Sequence, residues 1–339
     1  MRVRISIVLV ALVVPLLLPG AAGARGADAA RRAEHDRIVA YWTPARIAAA
    51  QWKDFRVDPR TGKVTPFAKP GGGGGGASWP NGGAIEQRSG RILFSTTEGD
   101  WICSGSVVNS TSGDAATVLT AGHCVYDGSE GWSFNFMYIP DFDSAPTYTC
   151  GQTSLGCWTA TRLGVHENFH PSGFGPDAAL RVDYGFALVG PGGKGGGVPA
   201  DLDAATGGYG LNTGTVAHSV TKWAFGYPAG GRYKGRDLTY CTGTTSDDPN
   251  LSGTWGMVCN MTGGSSGGPW IHGTTNPATY SAGTLLTSVN SYGYSGINKM
   301  FGPRFNAATG TVFGDVQDGS ATIGVTVLCT TGVTEPNCN

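Results

Sequence analysis

The segment Val118-Leu119-Thr120-Ala121-Gly122-His123-Cys124 joins an apolar β-type run to a histidine and a cysteine. Similar short runs lie at Arg91 to Ser95, Ser133 to Ile139 and Phe186 to Val189, and turn residues separate them. Runs of this length and composition predict β-strands. The 56 glycines and the many aromatic residues also fit short strands and tight turns better than long helices. We therefore predict an all-β fold built from two β modules.

The chain begins with Arg2 and Arg4, an apolar run from Ile5 to Leu18, and small residues up to Ala24. This layout is typical of a secretory signal peptide. As a helix the apolar run would be about 21 Å long, which is shorter than the roughly 30 Å hydrocarbon core of a membrane. No later apolar run is long enough to span a bilayer. We expect residues 1–24 to be a signal peptide and the mature protein to be secreted, extracellular and without a membrane anchor.

Residues 25–82 form a region of different composition. They carry much of the charge, contain no cysteine, include a possible short helix from Ala45 to Trp52, and contain the run Gly71 to Gly76. Polyglycine is flexible and exposed to cleavage, so we interpret 25–82 as a propeptide and linker, with a retained disordered arm as the alternative. We expect the first β module at 83–200, the second at 201–314 and a C-terminal extension at 315–339.

The eight cysteines all follow residue 100, and the chain has 14% charged residues and a formal net charge of −1. An even number of cysteines in an exported chain predicts four disulfides. Eight cysteines permit 105 pairings, and proximity in sequence suggests Cys103 with Cys124, Cys150 with Cys157, Cys241 with Cys259, and Cys329 with Cys338. Paired C-x-x-C zinc ligands are absent. The weak charge argues against nucleic acid or an anionic membrane as partners.

Three segments carry residues suited to acyl transfer. Glycines flank Ser266 in Gly264-Ser265-Ser266-Gly267-Gly268-Pro269, and they permit the sharp turn that exposes a nucleophilic hydroxyl to backbone N–H groups. A fixed histidine such as His123 can act as the general base. An aspartate must then orient the imidazole. Asp183 precedes an apolar run and is favoured for this role, while Asp177 has a similar context and is the alternative.

Together these motifs resemble the chymotrypsin-like serine peptidases, and among them the bacterial glutamyl-endopeptidase-like branch. Their chain order, His123, Asp183 and Ser266, is also the order of that family. The resemblance implies two antiparallel β-barrels with the active site in the cleft between them. It also implies a serine endopeptidase that cleaves proteins or peptides. With residues 25–82 interpreted as a propeptide, we expect it to be made as a precursor, to be monomeric and to need no cofactor or metal.

The same resemblance assigns further site residues. The N–H groups of Gly264 and Ser266 would form the oxyanion hole, and Ser291-Tyr292-Gly293 would pair with the substrate backbone. Two positions depart from better-known branches. Ser265 stands where the digestive enzymes have the aspartate that receives the new N-terminal amine. Asn260 stands where trypsin-type enzymes have the acid that selects Lys and Arg, so a trypsin-like preference is not expected.

Three other functions compete with this interpretation. Gly264 to Gly268 also matches the G-x-S-x-G elbow of α/β-hydrolases, but those enzymes place Asp and then His after the serine. Here the only later histidine is His272, six residues on, which leaves no room for an intervening acid. The segment His166-Glu167-Asn168-Phe169-His170 matches the zinc signature H-E-x-x-H, although a third ligand is not evident. A secreted binding protein that keeps the peptidase fold without activity is the remaining alternative.

Overall fold

The computed structural model describes residues 20–53, 55–58, 60–61, 63–66, 75–110, 116–144, 149–169, 177–194, 201–217, 219–330 and 337–338. The N-terminal segment contains α1 (Gly20–Tyr41), α2 (Pro44–Ala49), β1 (Gln51–Trp52), β2 (Phe55–Val57), β3 (Val64–Pro66) and β4 (Ala77–Ser78). The expected signal peptide up to residue 19 and residues 71–74 of the glycine run lie outside the described residues.

The first module contains α3 (Ala84–Arg88), β5 (Ser89–Thr96), β6 (Gly99–Val108), β7 (Thr117–Thr120), β8 (Tyr126–Asp127), β9 (Gly131–Trp132), β10 (Phe134–Pro140), β11 (Trp158–His166), α4 (Asp177–Leu180) and β12 (Gly185–Val189). Short 3-10 turns lie at Gly122–Cys124, Phe142–Ser144 and Cys150–Gln152. The second module contains α5 (Leu202–Thr206), β13 (Gly210–Leu211), β14 (Thr221–Gly226), β15 (Thr239–Thr244), β16 (Ser246–Asp247), β17 (Thr254–Val258), β18 (Pro269–His272), β19 (Leu285–Val289), β20 (Gly293–Tyr294) and β21 (Lys299–Pro303). The chain ends with α6 (Ala307–Asp318), β22 (Thr326–Thr330) and β23 (Asn337–Cys338).

The first module is a closed β-barrel. Its strands follow the order β10-β5-β6-β7-β12-β11, and β10 also pairs with β11, which closes the sheet. Every residue of β5, β7 and β12 is buried, because one face of these strands fills the barrel and the other is covered by neighbouring segments. Such strands appear in sequence as nearly continuous apolar runs rather than as alternating ones.

The second module consists of a larger and a smaller sheet. The strands of the larger sheet follow the order β13-β19-β18-β14-β15-β4, and the smaller sheet is β16-β17-β21. Its separate apolar core includes Trp270, Met257 and Trp255, packed around Cys241 and Cys259. The prediction of an all-β fold is confirmed.

The N-terminal segment packs on the first barrel instead of standing apart from it. Ile38 and Trp42 join the core of that barrel, and the Trp42 indole donates a hydrogen bond to the carbonyl of Asn135 at 2.7 Å. The helix expected from Ala45 to Trp52 is shorter, since α2 ends at Ala49 and Gln51–Trp52 forms a strand beside β6.

The C-terminal segment also belongs to the first barrel. Helix α6 is capped by Asn306, whose side chain accepts hydrogen bonds from the N–H groups of Ala308 and Thr309, and β22 pairs with β11 with Leu163 opposite Cys329. The region expected as an extension therefore widens the sheet of the first barrel.

Disulfides join residues that are close in sequence. The bridges are Cys103–Cys124, Cys150–Cys157 and Cys241–Cys259. Cys329 is also disulfide-bonded, and its backbone pairs with that of Cys338. None of the helices in the described residues is both long and apolar enough to cross a membrane.

Candidate active site

His123 is held by covalent and backbone contacts. Strand β7 leads into the 3-10 turn Gly122–Cys124, and the bridge from Cys124 to Cys103 in β6 pins that turn to the barrel. The His123 side chain is fully buried, and its Nδ1 lies 2.9 Å from Oδ2 of Asp183. The His123 backbone N–H donates to Oδ1 of the same carboxylate at 2.9 Å. His123 is thus held by Asp183 at both its backbone N–H and its ring.

Asp183 lies across from His123 because of strand register. It precedes β12, and β12 pairs with β7 so that Gly185 is opposite Thr120. Burial alone raises the pKa of the Asp183 carboxyl, but the His123 ring and the hydrogen bonds from Ser291 Oγ and the His123 N–H bring it below the ordinary value. The structure therefore places Asp183 against His123, whereas Asp177 is exposed at the start of α4.

Ser266 lies in the loop between β17 and β18, close to the turn that carries His123. Its carbonyl accepts a hydrogen bond from the N–H of Ser104 at 2.7 Å. The next residue, Gly267, has φ +80°, and a Cβ there would lie 2.0 Å from Oγ1 of Thr120. Only glycine permits this close approach, so the loop presses directly on the strand that delivers His123.

The loop at residues 262–268, called the nucleophile loop after the predicted role of Ser266, has defined peptide orientations. The carbonyl of Gly263 accepts a hydrogen bond from the N–H of Ala229 at 2.8 Å. In a trans peptide the next N–H, that of Gly264, points the opposite way. The Ser265 hydroxyl donates to the carbonyl of Thr262 at 2.8 Å. Ser265 thus closes the loop with a neutral hydrogen bond at the position where digestive enzymes would use an ion pair.

The expected substrate strand is braced by a buried acid that the sequence did not reveal. Asp248 Oδ2 accepts hydrogen bonds from the phenols of Tyr292 at 2.6 Å and Tyr294 at 2.7 Å. Tyr292 also stacks on Phe301, with ring centroids 5.4 Å apart. No motif marks Asp248, because its role depends on two tyrosines more than forty residues later.

Asn260 does not stand free at its position. Its Oδ1 accepts hydrogen bonds from the N–H of Gly76 at 2.9 Å and from the Tyr233 phenol at 2.7 Å. Arg232 lies beside the same oxygen, with Nη2 at 3.3 Å. The side chain is thus a neutral acceptor that is engaged by Gly76 of the N-terminal segment and by Tyr233 of the second module.

The N-terminal segment covers this site. Strand β2 pairs in parallel with β20, with Arg56 opposite Gly293. The Phe55 ring meets the His123 ring edge to face at 5.4 Å. Lys53 anchors the segment through ion pairs to Asp127 at 3.1 Å and Glu130 at 2.8 Å. The segment therefore contacts both the candidate base and the candidate substrate strand.

The zinc signature H-E-x-x-H needs a helix from its first histidine onward, but His166 does not begin a helix. His166 is the last residue of β11, and a turn follows it. Its Nδ1 accepts the N–H of Asn168 at 3.0 Å, and its ring meets Tyr184 edge to face. Burial lowers the pKa of His166. His170 lies outside the described residues.

Comparison with known proteins gives structural neighbours alone, since no protein-family model and no curated protein matches the chain. The chain is similar to the protease Anisep from Arthrobacter nicotinovorans, with 30% identity, a TM-score of 0.55, and coverage of 71% of this chain and 98% of that one. It is likewise similar to the thermostable serine protease AL20 from an extremophilic microorganism, with 31% identity, a TM-score of 0.56, and coverage of 69% and 99%. A Glu endopeptidase shares the fold at 17% identity, with a TM-score of 0.51 and coverage of 74% and 99%.

Proposed function

This chain belongs to the chymotrypsin-like serine proteases, and from that membership we propose that it is an active, secreted serine endopeptidase made as a precursor. The proposed triad is Ser266 as nucleophile, His123 as general base and Asp183 as the orienting acid. The observation that carries the proposal is the buried contact of His123 Nδ1 with Asp183 Oδ2 at 2.9 Å, beside the glycine-flanked Ser266 loop.

The proposed reaction is acyl transfer to the serine. Ser266 Oγ attacks the peptide carbonyl while His123 Nε2 takes its proton, and Asp183 holds the Nδ1 proton and stabilises the imidazolium. The N–H groups of Gly264 and Ser266 stabilise the oxyanion of the tetrahedral intermediate. His123 then gives the proton to the leaving amine, and a water molecule, activated by the same base, hydrolyses the acyl-enzyme.

The proposed substrates are proteins and peptides that pair with Ser291-Tyr292-Gly293. The bracing of Tyr292 by Asp248 supports this role, because a substrate strand must offer its backbone groups in a fixed orientation. Asn260 offers a neutral amide, so we do not expect a preference for Lys or Arg. The remaining side-chain preference can be measured with a peptide library.

The precursor form is supported by the position of the N-terminal segment. Strand β2 pairs with β20 so that Arg56 lies opposite Gly293, which is one of the residues proposed to bind substrate. Phe55 covers the ring of His123, and the N–H of Ser295 donates to the carbonyl of Val57 at 3.1 Å. A substrate cannot reach these groups until the segment leaves. Release of residues 25–82 is therefore the proposed activation step.

A fluorophosphonate probe tests this function directly. We expect the processed protein to be labelled, Ser266→Ala to lose labelling, and the neighbouring variant Ser265→Ala to keep it, because that hydroxyl donates to Thr262 within the same loop. Chelators should have no effect. Turnover should fall by several orders of magnitude in Ser266→Ala or His123→Ala. Retention of a tenth of the wild-type rate in either variant would refute the triad, and an unlabelled processed protein would favour an inactive binding protein.

A further inference from the structure

Arg91 is a buried cation that connects the two modules. It lies in β5 of the first barrel and is 2% exposed. Its Nη1 donates to the carbonyl of Gly264 at 3.2 Å, and its Nη2 donates to the carbonyl of Gly235. Gly264 belongs to the nucleophile loop, and Gly235 belongs to the turn between β14 and β15. One side chain thus holds two loops of the second module.

This arrangement is costly for folding. Within the described part of the chain, no carboxylate forms an ion pair with Arg91, and burial lowers the pKa of Arg91 to about 9. The guanidinium is instead balanced by the two carbonyls and by the rings of Phe142 and Tyr227, whose centroids lie 5.3 and 5.4 Å from Cζ. An apolar side chain would fill such a site at lower cost. The charge therefore points to a role at the carbonyls that it binds.

Those carbonyls lie next to the peptides that carry the oxyanion N–H groups, because the Gly264 carbonyl belongs to the peptide between them. The carbonyl of Gly264 accepts from both Arg91 and Ser104 Oγ, the latter at 2.8 Å. The turn bound by Nη2 also carries Ala229, whose N–H orients the Gly263 carbonyl. The N–H of Gly235 closes that turn on the carbonyl of Pro228 at 2.8 Å. Arg91 thus contacts the peptide after Gly264 directly and the peptide before it through the turn 228–235.

We propose that Arg91 is a positioning residue for the oxyanion hole, clamping the nucleophile loop to the turn 228–235 so that the Gly264 and Ser266 N–H groups converge before substrate binds. The inference rests on the proposed function, because it concerns those two donors. It also accounts for Ser265. Because Arg91 supplies a cation from within the first barrel, the loop does not need an aspartate that pairs with a new N-terminus.

The test compares Arg91→Met and Arg91→Lys with a matched control in the processed protein. Lys222→Met is the control, because Lys222 is also a fully buried cation of the hydrophobic interior but bonds to Thr245 Oγ1, away from the nucleophile loop. The measurements are kcat and KM on a peptide substrate, the Ki of a peptide aldehyde, and the melting temperature. The aldehyde forms a tetrahedral adduct whose oxygen reports on the oxyanion hole.

We expect Arg91→Met to lower kcat by roughly 10- to 100-fold with KM within about twofold, since a misplaced oxyanion donor costs up to about 10² to 10³ in kcat. The aldehyde Ki should rise by a similar factor. Arg91→Lys should fall between wild type and Arg91→Met, because an ammonium cannot span both carbonyls. Lys222→Met should keep the wild-type kcat.

Several results would overturn the inference. An unchanged kcat in folded Arg91→Met would do so even if its melting temperature fell, because that pattern means a purely structural role. An equal kcat loss in Lys222→Met would also do so. If Arg91→Met does not fold, Arg91→Lys decides, and wild-type kcat in that variant overturns the inference. Failure of the proposed function can be distinguished from failure of the Arg91 proposal. In the first case the processed wild-type protein itself would not be labelled by the fluorophosphonate, and both proposals would be refuted.

Discussion

Phe55→Ala in the unprocessed chain should uncover the active site without any cleavage. Phe55 is 2% exposed and packs on His123 and in a cluster with Tyr292 and Tyr294. Burying a phenylalanine contributes about 2 to 3 kcal/mol, and an aromatic pair adds about 0.5 to 1.5 kcal/mol. A loss of about 3 kcal/mol shifts the ratio of covered to open sites by roughly 100-fold, at 1.4 kcal/mol per tenfold.

The assay is the rate of fluorophosphonate labelling of intact precursor, separated from processed chains on a gel. We expect the labelling rate of Phe55→Ala to rise by up to about 100-fold over wild type, with the rate of the processed protein as the ceiling. Ile38→Ala is the matched control. Ile38 is equally buried in the same segment, but it packs on the core of the first barrel from α1, so its loss should change labelling by less than about threefold.

Two results would refute the steric block. The first is intact wild-type precursor that is labelled as fast as processed protein. The second is Phe55→Ala labelled at the wild-type precursor rate, because the segment would then cover the site without relying on the contact that the structure shows. A rise of equal size in Ile38→Ala would mean that general loosening, and not the cleft contact, controls access.

Three further predictions concern stability. Burial and two neighbouring carboxylates raise the pKa of Glu86 to about 7. The native state therefore binds the proton more tightly than the unfolded state, and the stability of the fold decreases as the pH rises from about 4.5 to 7. Glu86→Gln should raise the melting temperature at pH 8 and not at pH 4, and an equal change in melting temperature at both pH values would contradict this. Replacing Cys103 and Cys124 with alanine removes a disulfide that closes a loop of 21 residues. We expect the free energy of unfolding to fall by about 3 kcal/mol, and an unchanged urea midpoint would disprove this. Ser291→Ala removes a hydrogen-bond donor to Asp183. The lowered pKa of Asp183 stabilises the folded state at pH values above the pKa of the unfolded state, and this stabilisation is lost as the pH falls through the folded-state pKa. Without the donor that folded-state pKa rises, so acid unfolding followed by circular dichroism should begin at higher pH, and an unshifted curve would contradict the contact.

The candidate groups His123 and Ser266 can be picked out from the sequence because their surroundings are local. A short strand, a turn and an adjoining cysteine position His123, and glycines on both sides position Ser266. The choice between Asp183 and Asp177 is different in kind. It depends on the register of β12 against β7, and register is a contact between segments that the motif around either aspartate does not contain.

The contacts that the sequence did not indicate all join distant segments. The C-terminal strand enters the first sheet beside β11, and Phe55 reaches His123 across more than sixty residues. Arg91 was visible only as the first residue of an apolar run, and Gly264, which it binds, lies 173 residues later. Local composition does not predict such pairs, because each partner is compatible with the composition of its own strand or loop whether or not the contact forms.

The arrangement of the nucleophile loop indicates how the precursor would be kept inactive. While Phe55 covers His123, the hydrogen bonds from Ala229 to Gly263, from Ser265 to Thr262 and from Arg91 to Gly264 are already made. A loop that waited for an ion pair from a new N-terminus would lack such bonds before cleavage. Since they are present together with the covering strand, the block in the proposed precursor would be occupation of the cleft, and removing the segment would expose a loop whose hydrogen bonds are already made.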